Sequence, residues 1–112
     1  MRTEVMYVEH KLGLNGPARI VRVTWTKSRR GIRCGSLLLQ SANGSGFKSN
    51  YVDSESGDEY WVSRPRQDGC DRLYSGIVEI DDDAREEYWT RIRRRPDLVG
   101  DTRYHSAGKH RR

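Results

Sequence analysis

Long apolar runs are missing from this sequence of 112 residues. No stretch approaches the roughly 18 consecutive apolar residues that a membrane-crossing helix needs, and the N-terminal segment lacks the apolar centre of a secretory signal. These absences predict a cytoplasmic protein with no membrane partner. Cysteine is scarce: Cys34 and Cys70 are the only two. They fall in no CxxC or CxxH spacing, which argues against a zinc site and reads them as small buried hydrophobes. Histidine occurs three times, at His10, His105 and His110 near the ends. The sequence has no GxSxG, Walker A, HExxH or GxGxxG segment, so no enzyme built on those motifs is expected and no cofactor is implied. Asp53, Glu55, Asp58 and Glu59 lack the order of a calcium loop and read as a solvated turn. Carboxylates brought together only in space stay open as a source of catalysis.

Hydrophobic residues are few as well, 34% of the chain against 33% charged. What is there instead is aromatic: three Trp, six Tyr and one Phe, each ring able to bury on the order of 150–250 Å². The length suits a single domain with a modest core. Charge is unevenly spread. From Met1 to Ile92 the chain carries 14 basic and 14 acidic residues, while from Arg93 onward seven basic residues face only Asp97 and Asp101, so the whole net charge of +5 lies in the last segment. The expectation is a single β-rich domain over residues 4–95, balanced in charge up to Ile92, and a basic, flexible tail over 96–112.

The clearest local pattern runs from Gly46 to Arg64, GFKSNYVDSESGDEYWVSR. Two aromatic-rich extended runs flank Glu55-Ser56-Gly57-Asp58, which predicts a β-hairpin with Gly57 at positive φ. Further strands are expected over 4–9, over 18–27, where Val21, Val23 and Trp25 share one face, over 32–40, either covered on both sides or bulged near Gly35, and over 74–80. Turns are expected at 13–17, at 28–31 with Gly31 at positive φ, and as a flexible loop over 41–46. Ala84, Tyr88, Trp89 and Ile92 make one helical stripe over about 83–94, capped by an aspartate of the 81–83 triplet and stopped by Pro96. The fold class is therefore mainly β with one C-terminal helix, an α+β arrangement. Its architecture is a small antiparallel SH3-like barrel or a strongly bent sheet of five to six short strands.

Basic and aromatic residues interleave on this scheme, which is the composition of a surface that stacks bases and neutralises phosphates. The candidate nucleic-acid contacts are Lys27, Arg29, Arg30, Lys48, Arg64 and Arg66 on the body. Tyr51 and Trp61 are the stacking candidates, and the run Arg93, Arg94 and Arg95 can attract phosphate without a fold. The rings of Trp25, Tyr51 and Trp61 have a second reading as core. The alternative function is a protein–protein interaction module, an accessory subunit, regulator or inhibitor of a larger complex, which suits a body of mixed charge.

Four separated segments carry a resemblance: GPARIVRVT at 16–24, GFKSNYVDSESGDEYWVSRP at 46–65, DGCDRLY at 68–74 and VEIDDDAREEYWTRIR at 78–93. Together they resemble a widespread family of small bacterial proteins with GFKxNYxDxxxGxEYW and DxREEYWxxIR segments and no established activity. The resemblance spans residues 5–93. It implies one compact domain and leaves the function to the residues themselves.

Overall fold

Five consecutive residues of the first strand, Val5 to Glu9, are buried, the first four of them apolar. Successive side chains in a strand point to opposite faces, so β1 (Thr3–His10) has to be covered on both sides. The fold supplies two interiors. Met6 and Val8 face one, with Val21, Val23, Ile32, Leu39, Tyr60 and Val62. Val5 and Tyr7 face the other, with Ala18, Ile20, Val78, Ile80, Ala84, Tyr88 and Trp89.

The computed structural model describes residues 2–11, 16–42, 49–72 and 74–108. The first interior belongs to a barrel formed by β1, β2 (Ala18–Trp25), β3 (Gly31–Cys34), β4 (Leu37–Ser41), β5 (Tyr51–Asp53) and β6 (Glu59–Ser63). Each strand pairs antiparallel with the next, and β6 returns to β1 with Tyr7 opposite Ser63 and His10 opposite Tyr60. This is the mainly β fold with a small SH3-like barrel that the sequence predicts. The run 32–40 differs from the expectation: it is two strands, turned at Gly35 (φ 61°) and Ser36, with Leu37 and Leu39 toward the barrel interior. Gly57 has the predicted positive φ, 79°.

The second interior lies outside the barrel. β7 (Gly76–Ile80) runs parallel to the start of β2, Arg19 opposite Glu79 and Ile20 opposite Ile80. The same edge of β2 continues to β3 at Thr24 and Trp25. A helix follows, α1 (Asp82–Glu87), and its last turn widens over Tyr88–Ile92, where the Arg93 N–H reaches back five residues to the Tyr88 carbonyl at 2.9 Å. In such a π-type turn neighbouring side chains diverge less than in an α-turn, so Tyr88 and Trp89 both enter the interior. The helix N-cap is Asp81, whose side chain makes no cap bond. Its carboxylate accepts instead from Arg19 Nε at 2.9 Å, tying β2 to the helix.

The predicted flexible tail needs correction. After a 3-10 turn at Pro96–Leu98, β8 (Arg103–Ser106) pairs antiparallel with β7, and Ser106 is fully buried. Tyr104 stacks on Tyr88 with ring centroids 5.4 Å apart and meets Trp89 edge-on at 6.0 Å. Its hydroxyl donates to Asp71 Oδ2 at 2.9 Å. Four residues with one aromatic among them carry no readable periodicity, which is why the sequence shows no strand there. The predicted turn residues 13–15, the loop over 43–46, Phe47, Lys48 and the final Lys109–Arg112 lie outside the described residues.

Candidate functional site

The register that fills the barrel also builds its mouth. Inward positions on β1 run Val8, Met6, then Glu4, and the next in step is Arg2. On β2 they run Val21, Val23, Trp25, and on β6 Tyr60, Val62, then Arg64. At one end, therefore, the apolar series gives way to two guanidiniums, a carboxylate and an indole. The Trp25 N–H donates to the Arg2 carbonyl at 2.9 Å, which extends the β1–β2 ladder to the rim. Arg29, from the turn between β2 and β3, completes an open pocket of about 270 Å³ lined by Arg2, Glu4, Trp25, Arg29 and Arg64. Barrel mouths are a common location for ligand sites.

Glu4 organises the pocket. Its Oε1 accepts from Trp25 Nε1 at 3.1 Å, and its Oε2 forms an ion pair with Arg64 Nε at 3.3 Å. The Arg64 side chain is 78% exposed, so one contact anchors its stem side while its terminal nitrogens face water. Arg29 sits at φ 61°, a left-handed conformation costing a side chain roughly 1 kcal/mol. The turn holds it there through Arg29 N–H to Thr26 O and Thr26 N–H to Gly31 O, each 3.0 Å, and Arg30 N–H to Ser28 Oγ at 3.2 Å. The positive φ expected at Gly31 has thus fallen on Arg29. Gly31 is needed for another reason: a Cβ there would stand 3.1 Å from the Leu39 carbonyl oxygen.

The predicted contacts divide into groups. Arg29 and Arg64 meet at the mouth, and Lys27 and Arg30 are exposed on the same turn as Arg29. Lys48 lies outside the described residues. Tyr51 and Trp61 share no platform: Tyr51, like the half-buried Trp25 at the mouth, packs against the barrel core and Trp61 against the outer one. Burial pushes the Tyr51 hydroxyl up from its ordinary range. Arg66 holds Asp68 with two bonds, Nε to Oδ1 at 3.0 Å and Nη2 to Oδ2 at 2.8 Å, and this neighbour draws the Asp68 carboxyl down to about 2. Arg95 grips Asp97 in the same way at 3.1 and 2.9 Å. The Arg93 guanidinium lies over Tyr88, Trp89 and Tyr104, 5.1 to 5.7 Å from their centroids, and donates to the Tyr88 hydroxyl at 2.9 Å. It is a rivet in the outer core, closed by Gly69, where a Cβ would come within 2.6 Å of it. Arg94, at φ 57° just past the helix, is exposed and stands apart from the mouth pocket.

Arg2 and Glu4 escaped the sequence reading, and Trp25 entered it only as a ring of undecided role. The available signal was strand parity, the even positions 2, 4, 6 and 8 passing from charged to apolar. Cys34 and Cys70 are half-buried. Among the described residues, no group of three or more His, Cys, Asp or Glu side chains is placed to hold a metal ion, and no helix is long and apolar enough to cross a membrane.

Barrel and mouth together define a small closed β-barrel with an arginine-rimmed, tryptophan-lined opening. No protein-family model, curated protein or solved structure matches the chain. Its function has to be argued from the chemistry of the mouth.

Proposed function

We propose that the protein is a small non-enzymatic nucleic-acid-binding module whose site is the barrel mouth. The observation that carries this reading is the convergence of one indole and three guanidiniums on one open pocket. Base–aromatic stacking is worth about 1–3 kcal/mol per base, and a guanidinium fork matches phosphate oxygens in pairs. Lys27 and Arg30, exposed beside Arg29, extend the basic track along which a backbone can run. Cytoplasmic residence belongs to the same reading.

A second reading, a protein-interaction module, draws on the other end of the sheet. Among the described residues β8 pairs with β7 alone, and Ile77, 47% exposed, sits opposite His105 beside that edge. Such an edge can accept a strand from a partner.

Fluorescence anisotropy with labelled oligonucleotides tests the first reading. Three phosphates neutralised by Arg2, Arg29 and Arg64 give a log–log salt slope of about −2 for a single strand. The triple substitution of these arginines to alanine is expected to abolish most binding. Salt-independent binding, or binding indifferent to the substitution, sinks it. A partner protein retained from lysate after nuclease treatment, and lost when β8 is altered, would favour the second.

A further inference from the structure

Glu4 is out of place in a pocket for phosphates alone, because a carboxylate repels them. Part of its role is internal, since it holds the Trp25 indole and Arg64. A carboxylate offers about four lone-pair sites, and these two contacts use one on each oxygen. Acceptor capacity therefore remains on a partly exposed carboxylate that lines the pocket.

The position of that capacity limits the ligand group it can meet. The bond from Trp25 Nε1 places Glu4 Oε1 at the edge of the indole, where an N–H that lies in the ring plane points toward it. A base stacked on the indole face lies one ring spacing above that plane, so its own in-plane edges are poorly aligned with the carboxylate. With its base on the indole and its phosphates on Arg2, Arg29 and Arg64, a nucleotide would carry its sugar between the two, within reach of the indole edge. The donor that a nucleotide can offer there is the ribose 2′-hydroxyl, the group by which proteins tell RNA from DNA. Carboxylates take the same hydroxyl in dinucleotide sites.

The pocket also selects for pairing state. A duplex keeps its base faces stacked on one another, and an indole inside a barrel mouth reaches a base face only when that base is unpaired or flipped out. The pocket volume of about 270 Å³ suits one such nucleotide.

Building on the nucleic-acid reading, we infer that the barrel mouth takes one unpaired ribonucleotide of an RNA strand, its base on Trp25 and its 2′-hydroxyl donating to Glu4. A hydrogen bond to a charged acceptor is worth enough to give about tenfold discrimination or more.

The test compares four labelled ligands on the unaltered full chain: single-stranded oligo(rA), oligo(dA) of equal length, its 2′-O-methyl RNA counterpart, and an RNA duplex. The expected result is oligo(rA) bound about tenfold tighter than oligo(dA), with the 2′-O-methyl strand at the DNA level and the duplex weaker than oligo(rA). In a Glu4→Gln variant, oligo(rA) should fall toward oligo(dA) while oligo(dA) holds or tightens, since a repelling charge has gone. Should that variant fail to fold, the modified strands on the native chain decide alone. Equal affinity for oligo(rA) and oligo(dA), still lost on Arg29→Ala, overturns the ribose contact and leaves the nucleic-acid reading standing. A duplex bound as tightly as the single strand overturns the unpaired requirement, and no binding by any of the four overturns both.

Discussion

Arg29 is the residue where local conformation and side-chain chemistry pull apart. Its φ of 61° would suit glycine, and the chain has a glycine two positions on. An arginine kept in a left-handed turn at the rim of a pocket fits the general pattern of strain collecting at functional positions. Arg29→Gly should therefore leave the unfolding free energy unchanged or raise it by up to about 1 kcal/mol, while affinity for a single-stranded oligonucleotide drops about tenfold through the lost phosphate contact. Urea melts and anisotropy on one preparation check both halves; a less stable variant with undiminished binding would show the arginine to be structural. The contrast with Arg93 is instructive, because from sequence alone Arg93 looked as available as Arg29. Position in a basic run says nothing about whether three rings will close over the guanidinium, and here they do.

At the scale of elements, the sequence was most legible where period and turn chemistry agree. The hairpin of β5 and β6, the alternation of β2, and the helical stripe of Ala84, Tyr88 and Trp89 could all be read from residue order. Two kinds of element could not. The turn at Gly35 and Ser36 was hidden inside a leucine run that also suits one continuous strand. β8 was hidden by brevity and by its basic neighbours, which imitate a solvated tail. The mouth was illegible for a third reason: Arg2 and Arg64 are brought together only by the closing pair β1–β6, a contact distant in sequence. The importance of β8 is open to measurement. A chain ending at Asp101 loses Tyr104 from the outer core together with the β7 ladder, and the aromatic alone is worth about 3 kcal/mol. Its unfolding midpoint in urea should fall accordingly, and a midpoint equal to that of the full chain would return residues 102–112 to the status of an appendage.

Across the whole molecule the charge is arranged differently from its order along the chain. Residues near the C-terminus supply the net excess, yet Arg93 is enclosed by rings, Arg95 is matched to Asp97, and Arg103 lies 3.9 Å from Glu79. At the mouth, Arg2, Arg29 and Arg64 line the pocket with Glu4 as its one acidic lining residue, and Lys27 and Arg30 are exposed on the adjoining turn, so a body whose first 92 residues balance in charge still presents a positive end. The interiors set a limit of their own at high pH. Burial, reinforced by the Tyr7 hydroxyl's 2.6 Å bond to Glu9, pushes that phenol far up, and burial with the Asp71 charge does the same to Tyr104; Tyr88 is raised mainly by burial. In the unfolded chain these groups ionise near pH 10. A folded pKa above the unfolded one means stability that is intact below about pH 10 and lost as pH rises past it. Phenolate absorbance from these rings should therefore appear together with loss of near-ultraviolet circular dichroism, in one step. Full ionisation of all the tyrosines near pH 10, with the dichroism unchanged, would contradict the packing described. The double-faced burial of β1 reaches further, into how the chain is made. Translation delivers Val5 and Tyr7 before the helix and β8 that cover them, so a ribosome-bound intermediate can complete its barrel and still display an uncovered apolar stripe. Such an intermediate is open to clumping and to chaperones until the helix and β8 emerge, and a premature stop codon between Ser63 and Asp82 leaves it in that condition for good.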